Sequence, residues 1–209
     1  GGCYYQFSEI EAIRAVCTQH GLALHLDGAR LFNALVETDE TPFQYGQVFD
    51  SISICLSKGL GCPIGSLLLG SHDFIARARR VRKMLGGGMR QAGGLAAAGL
   101  YALQHHIERL AEDHQHAQQL AEGLQRIAIE HPLLKGKLEL VSVNTNILFT
   151  DIALEVAEPL LAHLAAHGIR LTSSNYNKAD QHYKRVRWVT HLDICSTDIQ
   201  QALDTVGRF

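Results

Sequence analysis

The sequence predicts an α/β fold, with a sheet rich in parallel strands followed by a small α+β domain. Residues 22–27 and 52–56 are short apolar segments rich in leucine and isoleucine, which is typical of strands. A short helix over Leu31–Val36 lies between them, and a strand, a helix and a second strand in this order favour parallel pairing. After residue 130 the pattern changes to several strands with two helices. We therefore predict two domains, residues 1–130 and residues 131–209.

Capping residues and apolar periodicity predict the other elements. Ser8 and Glu11 match a capping box at the start of the first helix, and Gly21 is suited to end it. Three glycines end a basic helix that is rich in arginine. The remaining predicted elements are, in order, a loop over residues 37–46, a strand over residues 65–70, helices over residues 72–85, 89–106 and 110–127, strands over residues 138–143 and 146–152, a helix over residues 155–167, strands over residues 169–172 and 186–190, and a helix from Thr197.

Composition and charge argue against several classes of protein. The chain has 19 basic and 21 acidic residues, and this balance favours neither a nucleic acid nor a membrane surface as partner. No apolar segment reaches the roughly 18 residues that a membrane-spanning helix needs, and no signal-peptide pattern is found. The five cysteines are scattered and odd in number, as is typical of reduced thiols in the cytoplasm. Because the chain begins with Gly1 rather than methionine, we expect it to be part of a longer protein.

The functional hypothesis depends on Lys58 and Asp27. Each follows a predicted strand, and parallel strands open their carboxyl ends at one sheet edge, where ligands bind in open α/β sheets. A lysine at such a site can react with a carbonyl, and the obvious one is the aldehyde of pyridoxal 5'-phosphate (PLP). A carboxylate can keep the pyridine nitrogen of PLP protonated. Taken singly, Asp27 could be a helix cap and Lys58 a solvated surface lysine, but together they favour the cofactor.

Three arginines are candidates for binding anions. Arg90 stands two residues after three glycines, at a predicted helix start, which suits a phosphate, although the glycines could equally serve only to end the preceding helix. Arg30 lies three residues after Asp27, and Arg187 lies on a strand of the second domain. Either arginine could bind a carboxylate in bidentate fashion. On pattern alone, Arg187 is better interpreted as a surface residue of its strand.

The histidines do not favour a metal site. His105–His106 and His114–His116 stand in predicted helices at spacings that do not share a face, and no cysteine cluster accompanies them, so we predict no metal. His25 differs, because side chains two residues apart in a strand share a face, and His25 therefore lies on the face of Asp27. It could orient that carboxylate, or it could be a core histidine bonded to the backbone.

Four sequence strings carry a resemblance to a known family. In chain order they are LHLDGARLFNA (Leu24–Ala34), LSKGLGCPIGS (Leu56–Ser66), RKMLGGGMRQ (Arg82–Gln91) and VTHLD (Val189–Asp193). Over its full length the chain resembles the low-specificity L-threonine aldolases, within the beta-eliminating lyase and threonine aldolase family. The resemblance implies fold type I of the PLP-dependent enzymes. Residues 1–130 would then be the C-terminal part of the PLP-binding large domain together with its linking helix.

The resemblance also implies roles for individual residues. One lysine would carry the cofactor, a carboxylate would meet its pyridine nitrogen, an arginine would bind its phosphate, and three further cations would bind the substrate. These residues are, in that order, Lys58, Asp27, Arg90, and the group Arg30, Arg187 and Lys83. The implied reaction is the retro-aldol cleavage of L-threonine or L-allo-threonine to glycine and an aldehyde. The implied assembly is a homo-oligomer, usually a dimer of dimers.

Members of this family carry a long further segment before the point that matches Gly1. That segment supplies a histidine that stacks on the cofactor, a glycine-rich phosphate loop and candidate bases, so no residue of this chain is assigned those roles. Two alternatives stay open. One is another PLP-dependent lyase or racemase that acts on an amino acid, and the other is a truncated chain that folds or assembles without catalysis.

Overall fold

The computed structural model describes residues 2–173 and 182–209, which divide into two units. The N-terminal unit is Tyr4–Leu110, and the C-terminal unit is Ala111–Phe209 with the start of the chain. The elements of the N-terminal unit are α1 (Phe7–Gln19), β1 (His25–Asp27), α2 (Leu31–Glu37), α3 (Pro42–Val48), β2 (Ser51–Cys55), β3 (Ser66–Gly70), α4 (His72–Met84) and α5 (Gly93–His105). The later elements are α6 (Leu110–Glu130), β4 (Leu138–Val143), β5 (Ile147–Ala153), α7 (Leu154–Ala166), β6 (Thr172–Ser173), β7 (Tyr183–Val189) and α8 (Ser196–Gly207).

A three-stranded sheet with the order β1–β2–β3 organises the N-terminal unit. β1 and β2 are parallel, with Asp27 opposite Ser53, which confirms the predicted α/β class. β3 is antiparallel to β2, with Ser66 opposite Cys55. The physical reason is the length of the connection. Residues 56–65 cannot form a parallel crossover, which takes about a dozen residues or more and usually contains a helix.

Two apolar clusters support this sheet. The first lies around β2 and joins it to the first three helices, and its buried members are Ile10, Leu31, Tyr45, Ile52 and Ile54. The second lies around the segment that follows β2, and its buried members are Leu56, Leu60, Cys62, Ala102 and Leu110. β3, in contrast, is exposed along its whole length. The best-packed strand of this sheet is therefore the one that leads into Lys58.

Two local predictions for the segment before β2 were wrong. Helix α1 begins at Phe7, because the backbone N–H of Gln6 donates to Glu9 Oε2 (2.8 Å) and forms the cap two residues earlier than predicted. Helix α3 occupies part of the predicted loop over residues 37–46. The Thr41 hydroxyl accepts from the backbone N–H of Gln44 (3.3 Å), and proline stands at the first helical position, where its missing N–H costs nothing.

The C-terminal unit contains a four-stranded sheet with the order β4–β5–β7–β6, in which neighbouring strands are antiparallel. Helix α6 belongs to its core, because Ala117, Leu120 and Leu124 are buried there with residues of β5 and β7. The predicted domain boundary after residue 130 stays a prediction. Within the described residues, no helix combines the length and the apolar character that a membrane span requires.

Asp50, just before β2, ties three segments of the N-terminal unit together. Its carboxylate accepts from Arg14 Nη1 of α1 (2.7 Å) and from the backbone N–H of Leu24 (2.7 Å), and its own N–H donates to the Leu24 carbonyl (2.9 Å). The Arg14 hydrogen bond, followed by the Leu24 bond, lowers the pKa of Asp50. A carboxyl group whose pKa is lower in the folded state stabilises the fold above its unfolded pKa, and this contribution is lost as the pH falls through the folded value.

We therefore expect Asp50→Asn to destabilise the protein at pH 7, and we expect the difference from the parent to shrink as the pH falls below about 4, the usual aspartate pKa. Urea unfolding at a series of pH values measures both. Asp39→Asn is the matched control, since Asp39 is exposed and has no partner within the described ranges. A difference that stays constant from pH 7 to pH 3 would show that the charge of Asp50 is irrelevant.

Candidate active site

Asp27 and Lys58 lie at the same edge of the sheet. Asp27 is the last residue of β1, and Lys58 follows the end of β2 at Cys55, so the parallel pairing of these strands directs both toward one carboxyl edge. Asp27 Oδ1 accepts from the backbone N–H of Ala29 (3.2 Å), ahead of α2, whose N-cap is Arg30. Asp27 is therefore not the N-cap of α2, and the helix-cap alternative is wrong.

The loop that carries Lys58 is closed by backbone hydrogen bonds. The Leu56 N–H donates to the Gly65 carbonyl (2.9 Å), the Cys62 N–H donates to the Leu56 carbonyl (3.0 Å), and the Gly61 N–H donates to the Lys58 carbonyl (2.9 Å). Sequence reasoning missed a further anchor, which comes from α5. The carbonyl of Leu60 can only accept, so His106 donates to it through Nδ1–H (2.7 Å). These bonds define the backbone on both sides of Lys58.

Packing beneath the loop adds to this definition. A Cβ on Gly59 would lie 2.9 Å from Leu110 Cδ2 and 3.2 Å from Asn33 Oδ1, so only glycine fits next to Lys58. The Cys62 thiol donates to the Ala98 carbonyl (3.6 Å), and burial raises its pKa, which keeps it protonated as a packing residue. The Lys58 side chain itself is exposed, and its ammonium has no hydrogen-bond or ion-pair partner in the part of the chain that the structure describes.

The hydrogen-bond partner of the His25 side chain is neither Asp27 nor the backbone. Its Nδ1 lies 2.8 Å from the hydroxyl of Ser51, the residue opposite it on β2. Within residues 2–173 and 182–209 it bonds neither to Asp27 nor to the backbone. The interpretation that His25 orients Asp27 is therefore not supported. Its bond instead joins the starts of β1 and β2.

Lys83 and Arg90 lie on either side of the turn between α4 and α5. Lys83 is in the last turn of α4, and α5 begins at Gly93, so Arg90 precedes the helix that was predicted to begin at residue 89. The reason is Gln91, whose φ of 54° is left-handed and incompatible with a helix that includes it. Both side chains are exposed. Nothing in the sequence pattern signals this conformation of Gln91.

The remaining candidates are Arg30 and Arg187. Arg30 is half-buried at the start of α2, three residues after Asp27. Arg187 is half-buried on β7 of the C-terminal unit, opposite Phe149 of β5 and Thr172 of β6. The structure thus groups Asp27, Arg30 and Lys58 in one unit of the chain, whereas Arg187 belongs to the other unit.

Arg185 lies on the same face of β7 as Arg187 and has a structural role. Arg185 donates to both carboxylate oxygens of Asp151, at 2.8 and 2.7 Å. Arg187 has no such partner among the described residues. The same residues contain no group of three histidine, cysteine or acidic side chains that could hold a metal ion.

Comparison with known proteins adds family membership to this geometry. The family model described as "Beta-eliminating lyase" matches residues 1–153. The Low-specificity L-threonine aldolase 1 of Arabidopsis thaliana is 39% identical over 207 residues, which cover 97% of this chain and 54% of that protein. The threonine aldolase of Leishmania major has a TM-score of 0.80 at 23% identity, and the match covers 99% of this chain and 57% of that one. A structure described as SPT with PLP has a TM-score of 0.66 at 16% identity and covers 95% of this chain and 50% of that one.

The chain spans about half the length of the curated relatives that it matches, with 54% and 47% of two of them covered. At identities below 25%, the two solved structures show the fold alone, and they confirm fold type I. The resemblance is confirmed by the family model, which covers the first three of the four sequence strings, and by the Arabidopsis relative, whose match covers 97% of the chain. The chain belongs to the beta-eliminating lyase family.

Proposed function

We propose that this chain forms part of a PLP-dependent threonine aldolase, a lyase that cleaves L-threonine, L-allo-threonine and related β-hydroxy-α-amino acids to glycine and an aldehyde. The observation that carries the proposal is the position of Asp27 and Lys58 after two adjacent parallel strands, in a chain of this family. The names of the curated relatives, which are low-specificity L-threonine aldolases, support the reaction.

The residues at the sheet edge fit the cofactor. Among the described residues, the Asp27 carboxylate accepts one hydrogen bond, from the backbone N–H of Ala29. It can therefore also accept a hydrogen bond from a protonated pyridine nitrogen. Lys58 offers an exposed amine at the same sheet edge, and Arg90, in the turn between α4 and α5, offers a guanidinium that suits a phosphate. When bound, PLP draws electrons away from the bond that breaks at the Cα atom of an amino acid.

Within this proposal each residue of the chain has one task. Lys58 must lose its proton before its amine can bind the aldehyde of the cofactor, and the closed loop over residues 56–65 keeps its backbone in place. Asp27 accepts a hydrogen bond from the protonated pyridine nitrogen. Arg30 and Arg187 bind the substrate carboxylate through the parallel donors of a guanidinium, and Lys83 adds a third positive charge.

We also propose that the protein is a cytoplasmic homo-oligomer. Its five free cysteines support a reducing compartment. The three leucines of β3, Leu67, Leu68 and Leu69, are each about two-fifths exposed on an edge strand, and an exposed apolar edge is usually covered, either by a further part of the protein or by a second subunit. Oligomeric state is measured directly by light scattering of the purified protein.

The first prediction concerns Lys58. With PLP and L-threonine, the protein of which this chain forms part is expected to release glycine, and borohydride reduction is expected to leave a pyridoxyl group on Lys58. Lys58→Ala should lose both, because Lys58 is the only lysine in the sequence from β1 to β3. Mass spectrometry locates the label. Lys135→Ala is the matched control, since this exposed lysine has no partner in the described ranges.

The outcome also separates the alternatives. Formation of D-allo-threonine, the product of inversion at Cα alone, without glycine would favour a racemase, and elimination products without glycine would favour another lyase. A pyridoxyl label on a different lysine would overturn the assignment of Lys58. Absence of both label and product in the protein would leave the non-catalytic interpretation as the better one.

The second prediction compares Arg187 with Arg185. Arg187→Ala should raise the KM for L-threonine about ten- to a hundredfold, the cost of one or two charge-assisted hydrogen bonds, and should leave the melting temperature unchanged. Arg185→Ala should instead lower the free energy of unfolding by about 1 kcal/mol, since it removes the partner of a half-buried Asp151, with little effect on KM. Steady-state kinetics and urea unfolding measure the two effects. Equal KM values for the two variants would contradict the role of Arg187.

A further inference from the structure

The turn after α4 holds two long side chains close against glycines. A Cβ on Gly88 would lie 2.6 Å from Lys83 Cδ and 3.5 Å from Lys83 Nζ. A Cβ on Gly87 would lie 3.1 Å from Arg82 Cγ. The aliphatic parts of Arg82 and Lys83, in the last turn of α4, therefore fold back over the two glycines. Of the two contacts, that between Lys83 and Gly88 is the closer, and a Cβ at residue 88 would displace the end of the flexible Lys83 side chain.

The backbone of this turn has its own support. Gly86 has a left-handed φ of 84°, its N–H donates to the Lys83 carbonyl (3.2 Å), and the Gly87 N–H donates to the Arg82 carbonyl (2.9 Å). These are the two hydrogen bonds of a Schellman motif, which ends α4. Gly88 takes no part in them, and its φ lies outside the left-handed region. Alanine is thus compatible with the backbone at residue 88, and what it would disturb is the path of Lys83.

The positive charges on either side of this turn are suited to bind an anion. Lys83 and Arg90 are exposed, Arg90 follows Gly88 by two residues, and neither cation has an ion-pair partner within the described chain. Two unpaired cations carried by one short turn favour an oxyanion between them. In addition to these charges, the position of the Lys83 side chain depends on the absence of a side chain at residue 88.

We propose that Gly88 is a positioning residue for oxyanion binding: by lacking a side chain, it lets Lys83 lie across the turn and present its ammonium beside Arg90. The oxyanion is either a phosphate, such as that of the cofactor, or a carboxylate, such as that of the substrate. This inference rests on the proposed function, which assigns Arg90 and Lys83 to those ligands. Gly88 acts through Lys83 and has no contact of its own with the anion.

The experiment first measures how anions protect Lys83. The parent protein, Gly88→Ala and Gly93→Ala are treated with ethyl acetimidate, with and without inorganic phosphate or acetate, and modification of Lys83 is followed by mass spectrometry. Gly93 is the matched control, because an added Cβ there meets no atom within 4 Å. Circular dichroism confirms that each variant is folded. Phosphate or acetate should slow the modification about three- to fivefold in the parent and in Gly93→Ala, the effect of one exposed charge pair, but not in Gly88→Ala.

The two anions distinguish the two sources. Protection by phosphate assigns the turn to a phosphate ligand, and protection by acetate assigns it to a carboxylate. Protection of the parent by neither anion overturns the proposal, as does equal protection of Gly88→Ala and Gly93→Ala.

A double-mutant cycle then tests whether Gly88 acts through Lys83. The dissociation constant of the protecting anion is measured by calorimetry for the parent, Gly88→Ala, Lys83→Ala and the double variant. Each single change should raise it about three- to fivefold, and the double variant should match Lys83→Ala, because no ammonium is left to position. Additive effects would show that Gly88 acts independently of Lys83 and would overturn the proposal.

This test is separable from that of the proposed function. Labelling of Lys58 by PLP and borohydride together with an unprotected Lys83 would refute the role of Gly88 alone. A protected Lys83 without label on Lys58 would refute the proposed function and leave the oxyanion site standing.

Discussion

The parallel pairing of β1 with β2 is the constraint on which the candidate site depends. The register pairs His25 with Ser51 and Asp27 with Ser53, and the Gly28 N–H extends it by donating to the Ser53 carbonyl (2.8 Å). β2 is held in this register because Ile52 and Ile54 are buried against the surrounding helices. A slip of one residue would turn every side chain of the strand to the opposite face. The burial of two isoleucines thus determines where the carboxylate of Asp27 points.

The features that the sequence predicts are those whose signal lies within a short segment of the chain. The strands before Asp27 and Lys58 are short apolar segments, and the rule that parallel strands share a carboxyl edge converts two sequence positions into one location. The antiparallel orientation of β3 could also be predicted from the sequence, since residues 56–65 are too few for a parallel crossover. Helix α3 was missed although Thr41, Pro42 and Gln44 carry its capping signal, because seven residues with little apolar periodicity resemble a loop.

The rest could not be predicted, because it depends on contacts between distant residues or on backbone strain. The bond from His106 to the Leu60 carbonyl joins residues 46 positions apart, and histidine in a helix has no pattern that reveals it. The left-handed Gln91, which moves the start of α5 to Gly93, is a conformation that a residue with a side chain adopts only when its surroundings require it. Both features lie beside residues that the proposal uses, where departures from local preference are expected.

A cation without an ion-pair partner is by itself a weak indicator of a ligand site. Arg77, Arg79 and Arg80 on α4 are also without ion-pair partners among the described residues, as expected for a solvated helix face. The candidate cations differ from these in how they are held. Lys58 lies in a loop closed by hydrogen bonds, and the Lys83 side chain lies against Gly88. An exposed long side chain gains little from being held, since fixing it costs conformational entropy. A position of this kind, in a charged side chain that lacks a partner, is thus better explained by a ligand than by the stability of the fold.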